Sequence, residues 1–454
     1  MIERFRTALA VGVLAAACGS SDAGTEPAPP YRVERGAIVD ASGRTVILRG
    51  ANVSGSHKQA PYLSDMGPAD YARLRDEWGF DSMRFLVLWA GLEPQKGAYS
   101  EAYLDELAKR VGWARDAGLL VILDMHQDLW SEGFAGGDGA PRWTCDEARY
   151  AAFKPTNPWF FGSIDPNVTA CVDAFYAEGS EIRAHLVEGW RRVAKKLAPF
   201  DNVIGVDPLN EPHWGGYDIL AFEEERLAPF YVEVAKAVRS EAKSWLVFAE
   251  PGASRNVGYP SRLPKLPIDD VVYSPHAYDN DAEGGSGFDA KRRDAIVQKL
   301  RDYRAEADAM GAALWIGEYG GNAKQPDITE YMDAVYDGAS AAAAGATYWA
   351  YDKNSNGYGL LEDDGSVKAV LADVIARPYP SRVAGQLRSW EYDERARTLV
   401  VRMTGAAGVT EIVVPARAYP NGVTVDCGGC DAEITPGLVR LRTPPPGDVT
   451  VRPR

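Results

Sequence analysis

Residues 203–212 read VIGVDPLNEP, and residues 313–320 read ALWIGEYG. Each stretch begins with a short apolar run typical of a buried strand and then reaches a glutamate, Glu211 or Glu318. Pro212 cannot continue a hydrogen-bonded strand, and the glycines beside the second glutamate permit close backbone approach. Both stretches therefore predict buried strands that present a carboxylate where the strand ends.

Six further runs of the same kind occur along the chain. They are VILRGANV (46–53), SMRFLVLW (82–89), LVILDMHQD (120–128), WLVFAEP (245–251), VVYSPHAY (271–278) and ATYWAYD (346–352). Longer segments with helical patterns separate the runs, which is typical of β–α–β units and a parallel sheet. Eight such strands predict an α/β fold, the closed (β/α)8 or TIM barrel, whose active site lies at the carboxyl ends of the strands. We place this barrel at residues 32–380.

The pattern changes at a proline-rich junction, RPYPSRVAG (377–385). Beyond it, short segments such as TLVVRMT (398–404) and TEIVVPA (410–416) alternate apolar and polar residues and are separated by turn residues. This alternation predicts an all-β sandwich at residues 381–454. Because the segment has no cluster of carboxylates or histidines, we expect an accessory domain.

The N-terminus has the features of an export signal. Arg4 and Arg6 precede an apolar run that ends at Cys18, and Gly-Ser-Ser follows. The run is too short to span a bilayer, so residues 1–18 are interpreted as a lipoprotein-type signal peptide with lipidation of Cys18. Plain secretory cleavage, with Cys18 incidental, is the alternative. Residues 19–31 are small, polar and proline-rich and predict a flexible tether, so we expect an exported protein that is membrane-anchored or secreted.

The remaining cysteines are even in number. Of the 5 in the chain, removal of Cys18 leaves Cys145, Cys171, Cys427 and Cys430, which predict two disulfides in an exported protein. A disulfide between Cys145 and Cys171 would close the long connection at 129–180. A zinc site at Cys427 and Cys430 is the alternative, although the chain has no second ligand pair for it.

Charge and histidine content exclude several functions. A net charge of -15 would repel a phosphate backbone, so nucleic acid is not expected as a partner. The histidine and aspartate candidates for a metal site are His126, Asp128, His213 and His276. The chain has only 5 histidines and no HExxH spacing, so neither a catalytic metal nor a cofactor is expected. We expect a monomer.

The two glutamates fit retaining glycoside hydrolysis. That reaction needs two carboxyl groups about 5 to 5.5 Å apart, one to protonate the leaving oxygen and one to form a glycosyl-enzyme. The ends of the fourth and seventh strands face the same barrel mouth. Glu211 is the candidate acid/base and Glu318 the candidate nucleophile, with Tyr278 as a hydrogen-bond donor to Glu318. Two structural ion pairs would be the alternative.

Other polar and aromatic residues near strand ends are candidates for binding sugar. Asn210 suits the 2-hydroxyl, and His126 and Asp128 lie two residues apart on one face of a strand. Trp349 can floor the subsite of the reacting sugar, and a Cys145–Cys171 disulfide would hold Trp143 beside the mouth. The full set of binding candidates is Lys58, Arg84, His126, Asp128, Asn210, His276, Tyr278, Trp349 and Trp143.

Taken together, these residues resemble glycoside hydrolase family 5, and within it the endoglycoceramidases, over about residues 35–385. NEP (210–212) and GEYG (317–320) match the family pair, with Arg84, His276, Tyr278 and Trp349 in the expected places. RGANVSGSHK, DMHQDLWS, GDGAPRW, SPHAYD, YWAYDKN and the RPYP-xx-VAG junction are similar to the endoglycoceramidase branch in particular. GVDPLNEP in the fourth strand and the cysteines of the long connection depart from that pattern.

The resemblance implies cleavage, with retention, of the β-linkage between an oligosaccharide and a ceramide-like lipid. The mouth should then be polar on the sugar side and apolar on the lipid side, where exposed aromatic residues could also touch a membrane. Candidates for the lipid side are Phe134, Trp143, Trp159, Phe160, Phe161 and Trp214. The alternatives are an endo-β-glucanase, mannanase or steryl β-glucosidase of the same family, and an inactive carbohydrate-binding surface lipoprotein.

Overall fold

A computed structural model describes residues 30–53, 58–353 and 357–454. The predicted signal peptide with Cys18, and residues 19–29 of the predicted tether, lie outside these ranges. Among the described helices, none combines the length and apolar character that a membrane span requires.

The described chain starts with three short antiparallel strands and continues into a closed barrel of eight parallel strands. The first three are β1 (Tyr31–Glu34), β2 (Ala37–Asp40) and β3 (Thr45–Val46). The barrel consists of β4 (Arg49–Val53), β5 (Ser82–Leu88), β6 (Leu120–His126), β7 (Val203–Asp207), β8 (Leu246–Ala249), β9 (Val271–Tyr273), β10 (Ala313–Tyr319) and β11 (Gly345–Tyr351). Strand β11 pairs with β4 and closes the ring, which confirms the predicted fold class.

Both faces of the barrel strands are buried, and most residues on both faces are apolar. In β6, Ile122 joins a small cluster inside the barrel with Ile204, Phe248 and Trp315. The neighbours of Ile122 on β6, Val121 and Leu123, point to the opposite face and pack in the large core between strands and helices. Two-sided burial explains why these strands show continuous apolar runs rather than alternation.

Helices surround the barrel. They are α1 (Pro68–Asp76), α2 (Trp89–Leu92), α3 (Glu101–Asp116), α4 (Glu147–Ala152), α5 (Pro166–Tyr176), α6 (Glu181–Leu197), α7 (Ala228–Arg239), α8 (Asn280–Glu283), α9 (Arg293–Met310), α10 (Ile328–Ala341) and α11 (Ala369–Ile375). Serine side chains cap two of the longest: Ser100 accepts the N–H of Tyr103 in α3, and Ser180 accepts that of Arg183 in α6. Gly311 ends α9 with φ 67°, the left-handed conformation that favours glycine.

The C-terminal segment forms two antiparallel sheets around a separate core. Its strands are β12 (Tyr379–Val383), β13 (Gly385–Asp393), β14 (Thr398–Gly405), β15 (Thr410–Val414), β16 (Val423–Asp426), β17 (Ala432–Thr435), β18 (Gly437–Leu441) and β19 (Val449–Pro453). One sheet has the order β13-β14-β19-β16. In β14, Leu399, Val401 and Met403 alternate with less buried residues and point into this core, as the period-two pattern requires.

The second sheet differs from the sequence-based division of the chain. Its order is β1-β2-β3-β12-β15-β18-β17, so residues 31–46 belong to a sheet of the sandwich. The sequence had assigned Tyr31 to the tether and residues 32–46 to the barrel segment of 32–380. The junction itself supplies β12, which lies between β3 and β15. The register with β15 shifts between Pro380 and Arg382, as expected for a strand that contains proline.

The long connection after β6 is braced by a disulfide. Cys145 and Cys171 are joined, with 5.5 Å between their Cα atoms, and tie α5 to the segment that precedes α4. Cys427 and Cys430 form a second disulfide in the sandwich. The cysteine pairing predicted from the sequence is thus present, and the zinc alternative is not supported.

Candidate active site

Glu211 lies four residues beyond the end of β7 in a left-handed backbone conformation, with φ 42°. Its backbone N–H donates to Glu250 Oε2 at 2.9 Å. Its side chain is about a quarter exposed, and Oε1 is 2.8 Å from both Asn256 Nδ2 and His276 Nδ1. The carboxylate is therefore fixed at one oxygen and open to the barrel mouth.

Glu318 is the penultimate residue of β10 and is almost fully buried. Oε1 accepts from Arg84 Nη1 at 2.7 Å, and Oε2 accepts from the Tyr278 hydroxyl at 2.8 Å. Burial raises the pKa of Glu318 above its ordinary value, and His276 and Arg84 oppose that shift. The predicted hydrogen bond from Tyr278 is present.

The barrel brings the two glutamates together. One ligand atom each of Glu211, His276 and Glu318 lies within 4.8 Å of the others. His276 Nδ1 is 2.8 Å from Glu211 and 3.5 Å from Glu318 Oε2, so the imidazole stands between the carboxylates. This separation suits a retaining pair and leaves no gap for the intervening water that an inverting pair requires.

Arg84 lies in β5 beneath the two glutamates and has no exposed side-chain surface. Besides Glu318, its guanidinium contacts Asn52, Asp124, Asp207, Asn210 and Glu250. Burial alone would lower the pKa of Arg84, but the surrounding carboxylates raise it well above the ordinary value. Arg84 therefore remains a cation and supplies positive charge beneath the site.

A second polar cluster lies beside the first, at the ends of β6 and β11. Lys58 forms an ion pair with Asp128, lies 3.7 Å from Asp138 Oδ2, and stands 4.7 Å from the ring centre of Trp349. The His126 ring stacks on Trp349 at 5.1 Å. The sequence placed all of these residues except Asp138 among the candidates for sugar binding, and the structure gathers them in one place.

The charged groups of this second cluster shift one another's pKa values. Burial raises the pKa of Asp138 to about 7 against the pull of Lys58. Although burial and Lys58 act to lower it, Asp124 raises the pKa of His126 to about 9. Burial also opposes ionisation of Asp128, but Lys58 and His126 hold the pKa of that carboxyl well below its usual range. These shifts favour an ionised Asp128 and a protonated His126, whereas Asp138 titrates near neutral pH.

Sequence reasoning missed several residues at the site. Glu250 was part of a recognised strand run but was not singled out, and Asn256 lies in a loop without a motif. Asp138 lies in the GDGAP turn, where Gly139 has φ 99° and a Cβ would meet the Cβ of Gln127 at 2.3 Å. That glycine could have indicated a turn packed closely against the end of β6.

Candidate binding residues differ in their surroundings. Asn210 is buried; its Oδ1 accepts from Arg84 at 2.9 Å and its Nδ2 donates to the Gln127 carbonyl at 3.1 Å. Trp143 is half-buried, donates to the Glu93 carbonyl at 3.0 Å and packs edge-on against Trp89. Neither of these contacts connects Trp143 to the two glutamates.

The aromatic candidates for the lipid side divide into two groups. Phe134 is only 1% exposed and packs against Tyr150, so its assignment to the mouth surface is wrong. Trp159 and Phe161 are about half exposed on a short 3-10 helix, with Phe160 between them. Trp214 stacks on His213 with 3.9 Å between ring centres.

Two groups of side chains in the described part of the chain have the donors to hold a cation. One is His126 with Asp128 and Asp138, and the other is His276 with the two glutamates. In each group the histidine Nδ1 already has a carboxylate partner at 2.8 Å, Asp124 or Glu211. The expectation that no metal takes part stays a prediction.

A TIM barrel with two glutamates in contact range at the ends of its fourth and seventh strands defines a glycoside hydrolase. The chain belongs to glycosyl hydrolase family 5, whose model, described as cellulase, matches residues 39–355. The glycoside hydrolase family 5 C-terminal domain matches residues 377–452.

Within that family the chain is similar to endoglycoceramidases. Endoglycoceramidase I of Rhodococcus hoagii is 28% identical over 91% of this chain and 86% of its own length. The structure of endo-glycoceramidase II from a Rhodococcus species in complex with ganglioside GM3 has a TM-score of 0.83 at 30% identity, covering 92% of this chain and 99% of that one. A crystal structure of endogalactoceramidase gives 0.76 at 26% identity, with coverage of 94% and 100%.

Proposed function

We propose that this glycoside hydrolase cleaves the β-linkage between an oligosaccharide and a ceramide-like lipid, with retention of anomeric configuration. The single observation that carries the mechanism is the approach of Glu211 and Glu318 to within 4.8 Å at the barrel mouth. The substrate class is supported by similarity to endoglycoceramidases through both domains. One of these enzymes, endo-glycoceramidase II from a Rhodococcus species, has been solved both with ganglioside GM3 and as a lactosyl-enzyme intermediate.

In the first step of this mechanism, Glu318 attacks the anomeric carbon and Glu211 protonates the departing oxygen of the lipid. Tyr278 and Arg84 each contact one oxygen of Glu318 and so aim it. The glycosyl–oxygen bond breaks, a glycosyl–Glu318 ester forms, and the lipid alcohol leaves with the proton from Glu211. Positioned acid catalysis of this kind contributes about 10²- to 10⁴-fold.

In the second step, Glu211 removes a proton from water, and the water attacks the anomeric carbon from the face that the lipid left. The ester breaks, and Glu318 departs as a carboxylate stabilised by Arg84 and Tyr278. Two inversions at the same carbon give net retention. His276 contacts Glu211 in both steps and helps to fix its orientation.

Sugar recognition falls to the second cluster. Lys58, Asp128 and His126 offer donors and an acceptor for hydroxyls beside the flat face of Trp349. Charged groups hydrogen-bond sugar hydroxyls strongly, and an indole face suits the apolar face of a pyranose. The glycone therefore lies between this cluster and Glu318.

We also propose that the protein contacts a lipid surface. Eight large apolar side chains are exposed in the described ranges. Six of them lie on the connections that follow β6, β7 and β8: Trp159, Phe161, Ile164, Leu220, Val257 and Tyr259. Connections after barrel strands leave from the face that carries the active site, which supports a lipid-contacting surface beside the mouth.

The surface proposal is tested by cosedimentation with phosphatidylcholine vesicles that contain lactosylceramide. In a Cys18→Ser background, which lacks the proposed lipid anchor, Trp159→Ser with Phe161→Ser should release the protein from the vesicles. Ile434→Ser removes an apolar side chain that is exposed on β17 of the sandwich and serves as the matched control. Equal binding of all three proteins would contradict the proposal.

Export, lipidation at Cys18 and action as a monomer complete the proposal. The two disulfides favour an oxidising compartment, and the site is assembled within one chain. Mass spectrometry of the mature N-terminus should find lipid on Cys18, and Cys18→Ser should abolish it. An unmodified Cys18 in the mature protein would contradict lipidation and favour secretion without a lipid anchor.

The substrate proposal is tested with lactosylceramide and a 6-galactosyl glycosphingolipid beside carboxymethylcellulose, mannan and a steryl glucoside. Released sugars are separated by chromatography. Intact oligosaccharide from a glycosphingolipid supports the proposal. Turnover confined to the polysaccharides or to the steryl glucoside would keep the mechanism and change the substrate, and no turnover of any substrate would favour a binding protein.

A further inference from the structure

Glu250 lies immediately after β8, is only 2% exposed and has no part in the steps above. Both of its oxygens contact the active site. Oε2 accepts the backbone N–H of Glu211 at 2.9 Å. Oε1 accepts from Arg84 Nη2 at 2.8 Å and lies 3.2 Å from His276 Nε2. A buried carboxylate thus joins three groups that surround the reacting atoms.

The contact with Glu211 matters because its backbone is left-handed, with φ 42°. A residue with a Cβ pays about 1 to 2 kcal/mol to adopt this conformation, so neighbouring groups must hold it there. Glu250 holds the N–H of Glu211, and Gln127 Nε2 donates to the carbonyl of Asn210 at 2.7 Å. The direction of the Glu211 side chain follows from these backbone contacts.

A second connection runs through His276. Its Nδ1 lies 2.8 Å from Glu211 Oε1, and its Nε2 faces Glu250. Burial alone would lower the pKa of His276, but Glu250 and Glu318 raise it well above the ordinary value. The raised pKa favours the protonated ring, in which Nδ1–H donates to Glu211 Oε1.

Asp207 is a second buried carboxyl group that contacts Arg84 beside Glu250. Arg84 Nε donates to Asp207 Oδ2 at 3.1 Å. Burial raises the pKa of Asp207 well above its usual range, and Glu250 adds to the shift. Burial also opposes ionisation of Glu250, yet His276 and Arg84 lower its pKa. Within this pair of carboxyl groups, ionisation is therefore favoured at Glu250 over Asp207.

We propose that Glu250, with Asp207 beside it, is a positioning residue. It holds the backbone of Glu211 in place and keeps His276 Nδ1 directed at the Glu211 carboxylate. The inference rests on the proposed acid/base role of Glu211. It assigns no contact between Glu250 and substrate.

The test uses Glu250→Gln and two substrates that differ only in their need for an acid. A glutamine has one acceptor oxygen, so its NH₂ must oppose a donor at either Glu211 or the Arg84–His276 side. Phenyl β-lactoside needs protonation of its leaving group, whereas 2,4-dinitrophenyl β-lactoside does not. For the variant we expect kcat/KM on the phenyl substrate to fall roughly 10- to 100-fold, and on the dinitrophenyl substrate to stay within about threefold.

Deglycosylation gives a second readout. With the dinitrophenyl substrate, kcat of Glu250→Gln should fall because Glu211 also activates the water. Azide needs no base, so it should restore kcat and yield the β-lactosyl azide. Glu250→Asp, which withdraws the carboxylate by one methylene, should show the same pattern and replaces the first variant if that one fails to fold.

Glu93→Gln is the matched control. Glu93 is fully buried, accepts from the backbone N–H of Gly97 at 2.7 Å and pairs with His185 at 2.7 Å, but contacts neither Glu211 nor Glu318. Its loss should lower the melting temperature without changing the ratio of the two kcat/KM values. Parallel loss on both substrates in Glu250→Gln, or no loss on either, would overturn the inference.

The outcome is separable from that of the proposed substrate. A wild-type protein that hydrolyses the aryl lactosides but not lactosylceramide would contradict the glycolipid proposal and leave the test of Glu250 intact. If Glu211→Ala has the same kcat/KM as the wild type on both aryl lactosides, Glu211 is not the acid/base, and the inference about Glu250 fails with it.

Discussion

Replacement of Tyr278 by phenylalanine isolates one hydrogen bond at Glu318. The Tyr278 hydroxyl donates to Glu318 Oε2 at 2.8 Å, and the ring can keep its place when the oxygen is removed. A hydrogen bond to a charged group contributes about 1.5 to 3 kcal/mol, and one pKa unit corresponds to about 1.4 kcal/mol. Loss of this bond should therefore raise the pKa of Glu318 by roughly 1 to 2 units.

The sign of the effect follows from the role of the ionised carboxylate. A hydrogen bond to the charged form favours that form, so its removal favours protonation. Burial already raises the pKa of Glu318, and Tyr278→Phe should raise it further. Because only the ionised nucleophile attacks, activity that is lost as the pH falls should be lost at a higher pH in the variant.

The assay is the pH profile of kcat/KM with 2,4-dinitrophenyl β-lactoside, which reports on the first chemical step with little demand for acid catalysis. Tyr348→Phe is the control, because its buried hydroxyl donates to the Tyr358 carbonyl at 2.9 Å and does not contact Glu318. The acidic limb should move to higher pH in Tyr278→Phe alone. An unmoved limb, or one that moves to lower pH, would refute the reasoning.

Further predictions concern the nucleophile, the second cluster and the long connection. Glu318→Ala should abolish turnover, and azide should restore it as an α-glycosyl azide; undiminished activity would remove Glu318 from the mechanism. Because the pKa of Asp138 is raised to about 7 when folded, stability falls as the pH rises from about 4 to 7. The free energy of unfolding, measured with urea at several pH values, should therefore fall less steeply with pH in Asp138→Asn, by up to about 1.4 kcal/mol per pH unit. Equal slopes for the wild type and the variant would contradict this. Cys145→Ser with Cys171→Ser should lower the free energy of unfolding by about 3 to 4 kcal/mol, and an unchanged denaturation midpoint would oppose this.

The barrel could be predicted because its strands are buried on both faces. Each of the eight apolar runs matches one barrel strand, with only Gly345 of β11 lying outside its run, and the order of the runs fixes the order in the closed sheet. Once the fold is a TIM barrel, Glu211 and Glu318 must face one mouth, and the structure places them within 4.8 Å. Local sequence and fold geometry thus agree at these two positions.

The first three strands could not be assigned correctly from local pattern. Strands β1 to β3 have two to four residues each, too few to show whether they pair with the barrel or with the sandwich. Strand β12, which pairs with β3, lies more than 330 residues away in the chain, and the prolines at 378 and 380 favoured a linker over a strand. Long-range pairing between such short strands leaves no periodic signal.

Some site residues also escaped the sequence for physical reasons. Asn256 reaches Glu211 from a loop, where no strand or helix periodicity indicates the direction of a side chain. Phe134 and Trp159 occur in the same connection, yet one is 1% and the other 49% exposed. That difference depends on how the connection folds back on the barrel, which residue type alone does not determine.

The most direct test of the central claim is proton NMR of wild-type protein acting on lactosylceramide in vesicles or detergent. The account predicts that intact lactose appears first as the β-anomer and only later equilibrates with the α-anomer by mutarotation. The first appearance of α-lactose would contradict a retaining mechanism at Glu318. Release of galactose or glucose instead of lactose would contradict cleavage at the lipid linkage.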